Sequence, residues 1–212
     1  MLSHMPQPHA AVAGALAQAL ESQRPVRIVR EDDWWAEDVR GLVVGLSGDW
    51  VVLQRLMDTV YIDGYEILRF RDVTEVDADD DDMAVYTERA IVGLGRPEVD
   101  FHLPPSASTP AILRAVADSA ELVVIHTESI DEDALVIGHL CGIGTEDFDI
   151  QLVNAEGQWS LEPGRWRFED VTRIAFDDRY STALARFGDT RPTVIPGSAV
   201  DGRVQCSCVI AP

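Results

Sequence analysis

The sequence predicts a mostly β protein made of two tandem copies of one module. Each module is a helix followed by five short, strongly bent strands that curl into a small barrel. Three observations predict this. The chain repeats itself at an offset of 97 to 98 residues. Each copy opens on apolar residues at helical spacing. Short apolar segments with internal glycines and tight turns follow in the same order in both copies.

The repeat shows best at Arg69-Phe70-Arg71-Asp72-Val73-Thr74 and Arg167-Phe168-Glu169-Asp170-Val171-Thr172, which agree at five of six positions. Asp79-Asp80 continues it against Asp177-Asp178. Upstream, at an offset of 97, Val26 and Ile28 match Val123 and Ile125, Glu31 matches Glu128, and Val39 matches Val136. Gly41 and Gly45 match Gly138 and Gly142, and Leu16 and Ser22 match Leu113 and Ser119. A one-residue insertion near Gly144–Thr145 would account for the change of offset. The expected organisation is a first module over residues 8–90, a Gly/Pro-rich linker over 91–108 and a second module over 109–188. A C-terminal extension over 189–212 carries a hairpin turn at Asp201-Gly202.

The element boundaries follow from the pattern. Ala11–Ser22 places Val12, Leu16, Ala19 and Leu20 on one helical face. Its counterpart uses Ala111, Ile112, Ala115 and Val116, with Thr109-Pro110 as a helix start. The strands of the first copy fall at Pro25–Val29, Val39–Leu46, Trp50–Leu56, Tyr65–Phe70 and Val73–Asp77. Those of the second fall at Leu122–His126, Ala134–Ile143, Phe148–Val153, Arg165–Phe168 and Val171–Phe176. A glycine inside each second strand marks a bend or bulge.

Within this plan each copy resembles the Sm/LSm fold, an SH3-like small barrel. The segment Gly41-x-x-x-Gly45-x-x-x-Asp49-x-x-x-Leu53 is similar to the first Sm motif. Leu68-Arg69-Phe70-Arg71-Asp72-Val73 is similar to the second. The resemblance implies five-stranded barrels that associate through edge strands, as an intramolecular pseudo-dimer or a homo-oligomer. It also implies an RNA-gripping arginine at Arg69 and Arg167. Yet Leu53 and Gln151 stand four residues past Asp49 and Asp147, where the family has Asn, and Phe70 and Phe168 stand where it has Gly. The family's base-binding pocket is therefore not carried over.

Charge bears on partners. The 212 residues carry 37 acidic and 17 basic side chains, for a formal charge of −20. Residues 1–106 hold 20 acidic and 9 basic groups and residues 107–212 hold 17 and 8, so no acidic tail is the source. Every basic residue is Arg. Such a field repels nucleic acid at long range and suits a basic protein surface. No apolar run approaches the ~20 residues that span a bilayer, and no signal peptide is recognisable. A cytoplasmic protein that does not engage membranes is expected.

Candidate sites are few. Arg69, Asp72, Arg167 and Asp170 in the repeated hexapeptide read either as paired ligand contacts or as a tight turn. In the second reading Asp72 and Asp170 accept backbone N–H bonds and the arginine pairs nearby. Trp34 and Trp35, inside Glu31–Asp38, form either a partner-binding lip or a cover for the barrel end. The run Asp77–Asp82 is rich in oxygen ligands but lacks the mid-loop Gly of a calcium loop, so it reads as a solvated acidic corner. Cys141 is expected to be buried. Cys206 and Cys208 alternate onto one strand face and read as core or as a weak metal or redox pair. The five histidines, among them His126 and His139, form no spacing that binds a metal. No nucleophile elbow, zincin motif or phosphate loop is present. The expectation is a non-enzymatic acidic partner-binding or scaffold protein without cofactor or bound metal. The alternatives are RNA binding through the second-motif arginine and a metal- or small-ligand-binding module.

Overall fold

A computed structural model describes residues 9–30, 38–78, 82–105, 107–131 and 134–193. Among the described residues the chain is mostly β with four helices, and it divides into two compact units, Met1–Ala107 and Ser108–Pro212. Unit 1 contains α1 (His9–Ser22), β1 (Pro25–Arg30), β2 (Val39–Ser47), β3 (Trp50–Met57), β4 (Tyr61–Arg69), β5 (Val73–Ala78) and α2 (Asp82–Leu94). Unit 2 contains α3 (Thr109–Ser119), β6 (Val123–His126), β7 (Leu135–Ile143), β8 (Asp147–Leu152), β9 (Gly164–Arg167), β10 (Arg173–Phe176) and α4 (Arg179–Phe187).

Both units order their strands alike. Unit 1 runs β5-β1-β2-β3-β4 and unit 2 runs β10-β6-β7-β8-β9, with antiparallel neighbours throughout each. In neither unit are the two ends of this order paired, so the sheets are not closed, whereas the sequence predicts barrels. The strands bend at equivalent places. The β2–β3 register shifts between Val43 and Gly45, and the β7–β8 register shifts between Leu140 and Gly142. A bulge increases twist and bends the strand that carries it.

Gly41 and Gly138 have a steric reason. A Cβ on Gly41 would lie 2.5 Å from the Gln54 carbonyl oxygen, and one on Gly138 would lie closer still to that of Gln151. At this point β2 approaches β3, and β7 approaches β8, more closely than any side chain allows.

The core of unit 1 follows from the apolar face of α1. Val12, Leu16 and Ala19 pack on Val26, Ile28, Val39, Val43, Val51, Leu53, Leu68, Val73 and Val76. In α3, Ile112, Leu113 and Val116 are buried. The helix after the fifth strand covers further apolar surface. Ile91 of α2 packs with Leu42 and Leu56. Leu184 of α4 packs with Leu122, Val124, Ile137, Val153 and Ala175. Neither α2 nor α4 is part of the helix-plus-five-strands plan.

Two expectations change. The insertion lies elsewhere: β3 and β8 keep the offset of 97, since Val51 faces Leu46 as Phe148 faces Ile143. The offset reaches 98 in the next strand, where Trp50 faces Arg69 and Asp147 faces Arg167. The extra residue therefore falls between the third and fourth strands, not near Gly144–Thr145. Glu146, not Asp147, then corresponds to Asp49. The stretch 91–108, expected as a linker, contains the end of α2 and then a segment packed on unit 1. Phe101 and Ala107 are buried, and Tyr65 and Phe101 place their rings 5.8 Å apart.

Candidate functional site

The repeated hexapeptide forms the same corner in both units. A single turn of 3-10 helix, Phe70–Asp72 or Phe168–Asp170, joins the fourth strand to the fifth. The Phe70 N–H donates to the Asp49 carbonyl at 2.7 Å, and the Phe168 N–H donates to that of Glu146 at 3.1 Å. Thr74 and Thr172 tie the corner to the end of the first strand. The Thr74 hydroxyl donates to the carbonyls of Val29 and Arg30, and the Thr172 hydroxyl to that of His126. Much of what the two hexapeptides share is thus spent on backbone geometry.

The charged residues of the two corners differ. Arg69 and Asp72 are both buried, and the guanidinium meets the carboxylate through Nε on Oδ2 and Nη2 on Oδ1. Asp72 takes these donors from Arg69, not from the backbone N–H groups the sequence suggested. In unit 2 Arg167 is exposed and pairs with exposed Glu169 at 2.7 Å; Asp170 is half-buried. Arg69 and Arg167 match in sequence, but only Arg167 reaches solvent. Trp34 and Trp35, Asp79–Asp81, and Cys206 and Cys208 lie outside the described residues, as does the turn at Asp201-Gly202. Cys141 is exposed instead of buried. Among the described residues no group of three or more His, Cys, Asp or Glu side chains is placed to hold a metal ion.

Two buried polar clusters escape the sequence reading. In the first, Glu128 accepts the Thr172 hydroxyl at 2.8 Å, with Arg173 Nη1 at 3.9 Å and His126 Nδ1 at 4.0 Å from its other oxygen. The second surrounds Gln54, which is 1% exposed. Its amide Nε2 donates to the carbonyls of Pro97 and Glu98, and its Oε1 accepts Arg96 Nε at 2.7 Å. Arg96 Nη1 donates to Gln23 Oε1 at 2.9 Å. Burial among these amides pushes the Arg96 guanidinium below its ordinary range. Next to it the Tyr65 hydroxyl donates to Asp100 Oδ1 at 2.6 Å and accepts the Asp100 N–H at 3.1 Å. Burial, then this bond to Asp100, raises the Tyr65 phenol above its usual value. The network clamps residues 96–100 against β3 and β4.

A sequence signal for this second cluster exists. Arg96-Pro97-Glu98-Val99 recurs as Arg191-Pro192-Thr193-Val194, at an offset of 95. Gln54 recurs as Gln151, whose Nε2 likewise donates to the proline carbonyl, that of Pro192, at 3.3 Å. The different offset hides the pair from a search at 97 or 98.

The outer faces of the two sheets also diverge. Val52 and Ile67 face each other across β3 and β4, both buried. Their counterparts on β8 and β9 are Asp149 and Arg165, joined at 2.8 Å and 3.3 Å. Apolar side chains are exposed on the helices: Val85, Tyr86, Val92 and Leu94 on α2, Tyr180 and Phe187 on α4. Compared with known protein families, curated proteins and solved structures, the chain matches none.

Proposed function

We propose that this chain is a non-enzymatic partner-binding or scaffold protein, built from two duplicated Sm-like modules and directed at a basic protein surface. The shared strand order, the equivalent bulges and the equivalent corners support the duplication. The observation that carries the function is the exposed face of α2. Val85, Tyr86 and Val92 stand outside, Val92 being 82% exposed, on a chain whose formal charge is −20. Apolar anchors in a strongly acidic surround suit a partner that offers apolar contacts rimmed by Lys and Arg.

The same charge disfavours polyanions. The RNA alternative keeps only Arg167, because the Arg69 guanidinium is buried and committed to Asp72. Arg167 itself sits against Glu169, a poor neighbour for phosphate.

The test is affinity capture with the full chain at two salt concentrations. A partner held at about 50 mM salt should be released near 0.5 M, since the Debye length falls from ~14 Å to ~4 Å. It should also be lost with the Val85→Asp/Val92→Asp variant. A partner that ignores both salt and the α2 variant refutes the proposal, and so does tight salt-dependent binding of a short RNA.

A further inference from the structure

The two Arg-Pro segments contact their glutamines unequally. In unit 1 the Gln54 amide is satisfied at both ends. Its Nε2 faces the Pro97 and Glu98 carbonyls, and its Oε1 holds Arg96 Nε. In unit 2 Gln151 is 0% exposed, and its Nε2 faces the carbonyls of Ser160 and Pro192. Its Oε1 is buried and accepts no hydrogen bond from the described residues. Flipping the amide would not help, because Oε1 would then face two carbonyl oxygens. A buried acceptor without a donor loses its water and gains nothing in return. The donor that serves this position in unit 1 has a counterpart one bond away: Arg191 precedes Pro192 as Arg96 precedes Pro97, and Arg191 is exposed.

We propose that Arg191 is a latch, and that residues 189–193 form a strap on unit 2 with an open and a closed arrangement. In the closed arrangement Arg191 Nε donates to Gln151 Oε1, as Arg96 Nε does to Gln54 Oε1. Reach is not the obstacle. The proline carbonyl lies 3.1 Å from the glutamine amide in unit 1 and 3.3 Å from it in unit 2, so the proline that follows each arginine is docked alike. The difference lies in the connection between the third and fourth strands, which is 58–60 in unit 1 and 153–163 in unit 2. It supplies the Ser160 carbonyl, which takes the second amide proton where unit 1 uses Glu98. Two further contacts hold the strap in place during the swing. The Trp159 indole N–H donates to the Asp189 carbonyl at 2.9 Å, and the Asp189 N–H donates to that of Gly157 at 2.8 Å. Closing therefore needs only the arginine side chain and the local backbone to turn. It satisfies the last polar atom of Gln151 and fixes residues 189–193 beside β8. This latch does not depend on the partner-binding reading.

The test reads arginine Nε–H groups in the full chain by 15N NMR, with Arg96→Ala and Arg191→Ala assigning the two signals. Both Nε–H groups should exchange with solvent at least ~10-fold more slowly than that of exposed Arg114. Arg191→Ala should also lower Tm by roughly 2–4 °C, and Arg114→Ala should leave it unchanged. An Arg191 Nε–H that exchanges as fast as that of Arg114 overturns the latch, whatever the substitution does to Tm. A protected signal combined with an unchanged Tm in Arg191→Ala overturns it as well.

Discussion

Arg69 and Asp72 form a buried two-pronged ion pair across a single 3-10 turn, while the arginine at the matching corner lies in solvent on Glu169. One sequence motif thus carries two different electrostatic arrangements. Removing one member of a buried pair takes the nearest opposite charge from the other and costs about 3–5 kcal/mol. Removing one member of an exposed pair costs about 0–1 kcal/mol. Arg69→Ala and Asp72→Ala should therefore each lower unfolding free energy by about 3–5 kcal/mol in urea titrations, and Arg167→Ala by less than about 1. If the arginines served a shared ligand site instead, both substitutions would impair binding and neither would stand out in stability.

The close approach at Gly41 gives a prediction with two signs. Gly41→Ala puts a Cβ against the Gln54 carbonyl, and Gly138→Ala does the same at Gln151. Backbone does not move aside cheaply, so each substitution should cost about 1–3 kcal/mol or more. Gly93, inside α2, has nothing within 4 Å of where its Cβ would stand. Gly93→Ala should stabilise the chain by about 0.5–1 kcal/mol through helix propensity. Thermal melts of the three variants check both directions.

These residues show what the sequence could tell. Paired glycines and alternating Val and Leu mark strand positions directly, because periodicity and steric exclusion are local. The hexapeptide was legible as a repeat, yet its chemistry was not. Whether Arg69 pairs with Asp72 depends on how deeply the corner is buried, and burial comes from packing. The helix α2 begins at the end of the Asp77–Asp82 run and ends beside Gly93 and Gly95, so breaker residues masked a helix that Thr87 and Ile91 hold on unit 1. The Gly/Pro composition of 91–108 reads as a linker, but carbonyls within it are the acceptors that buried Gln54 needs. Composition reports flexibility in the unfolded chain. It does not report which carbonyl a buried amide will find.

Tyr65 makes that docked segment sensitive to alkali. Burial and the bond to Asp100 raise its folded pKa above the ordinary value near 10. Above that value the unfolded chain has released the phenolic proton while the folded chain retains it. The unfolded state then binds fewer protons, so stability falls as pH rises toward the folded pKa. Below the ordinary value this contribution is fully present. Unfolding free energy should therefore decline as pH rises above about 10, and Tyr65→Phe should flatten that decline. Absorbance titration at the tyrosinate band should show one phenol ionising only with unfolding. A Tyr65 that titrates at the ordinary value in the folded chain would contradict the arrangement with Asp100.

Thr74 and Thr172 occupy the same corner position, and their removal should not cost the same. The Thr74 hydroxyl bonds only backbone carbonyls at 3.1 Å and 3.3 Å, so Thr74→Val should cost about 1 kcal/mol. The Thr172 hydroxyl is fully buried. It donates toward the His126 carbonyl and the Glu128 carboxylate and accepts the Glu128 N–H at 3.2 Å. Thr172→Val takes a donor from a buried carboxylate and an acceptor from a buried amide, so about 2–3 kcal/mol is expected. Denaturant melts of both variants measure the difference. Equal losses would show that the hydroxyl serves only the backbone corner and not the carboxylate.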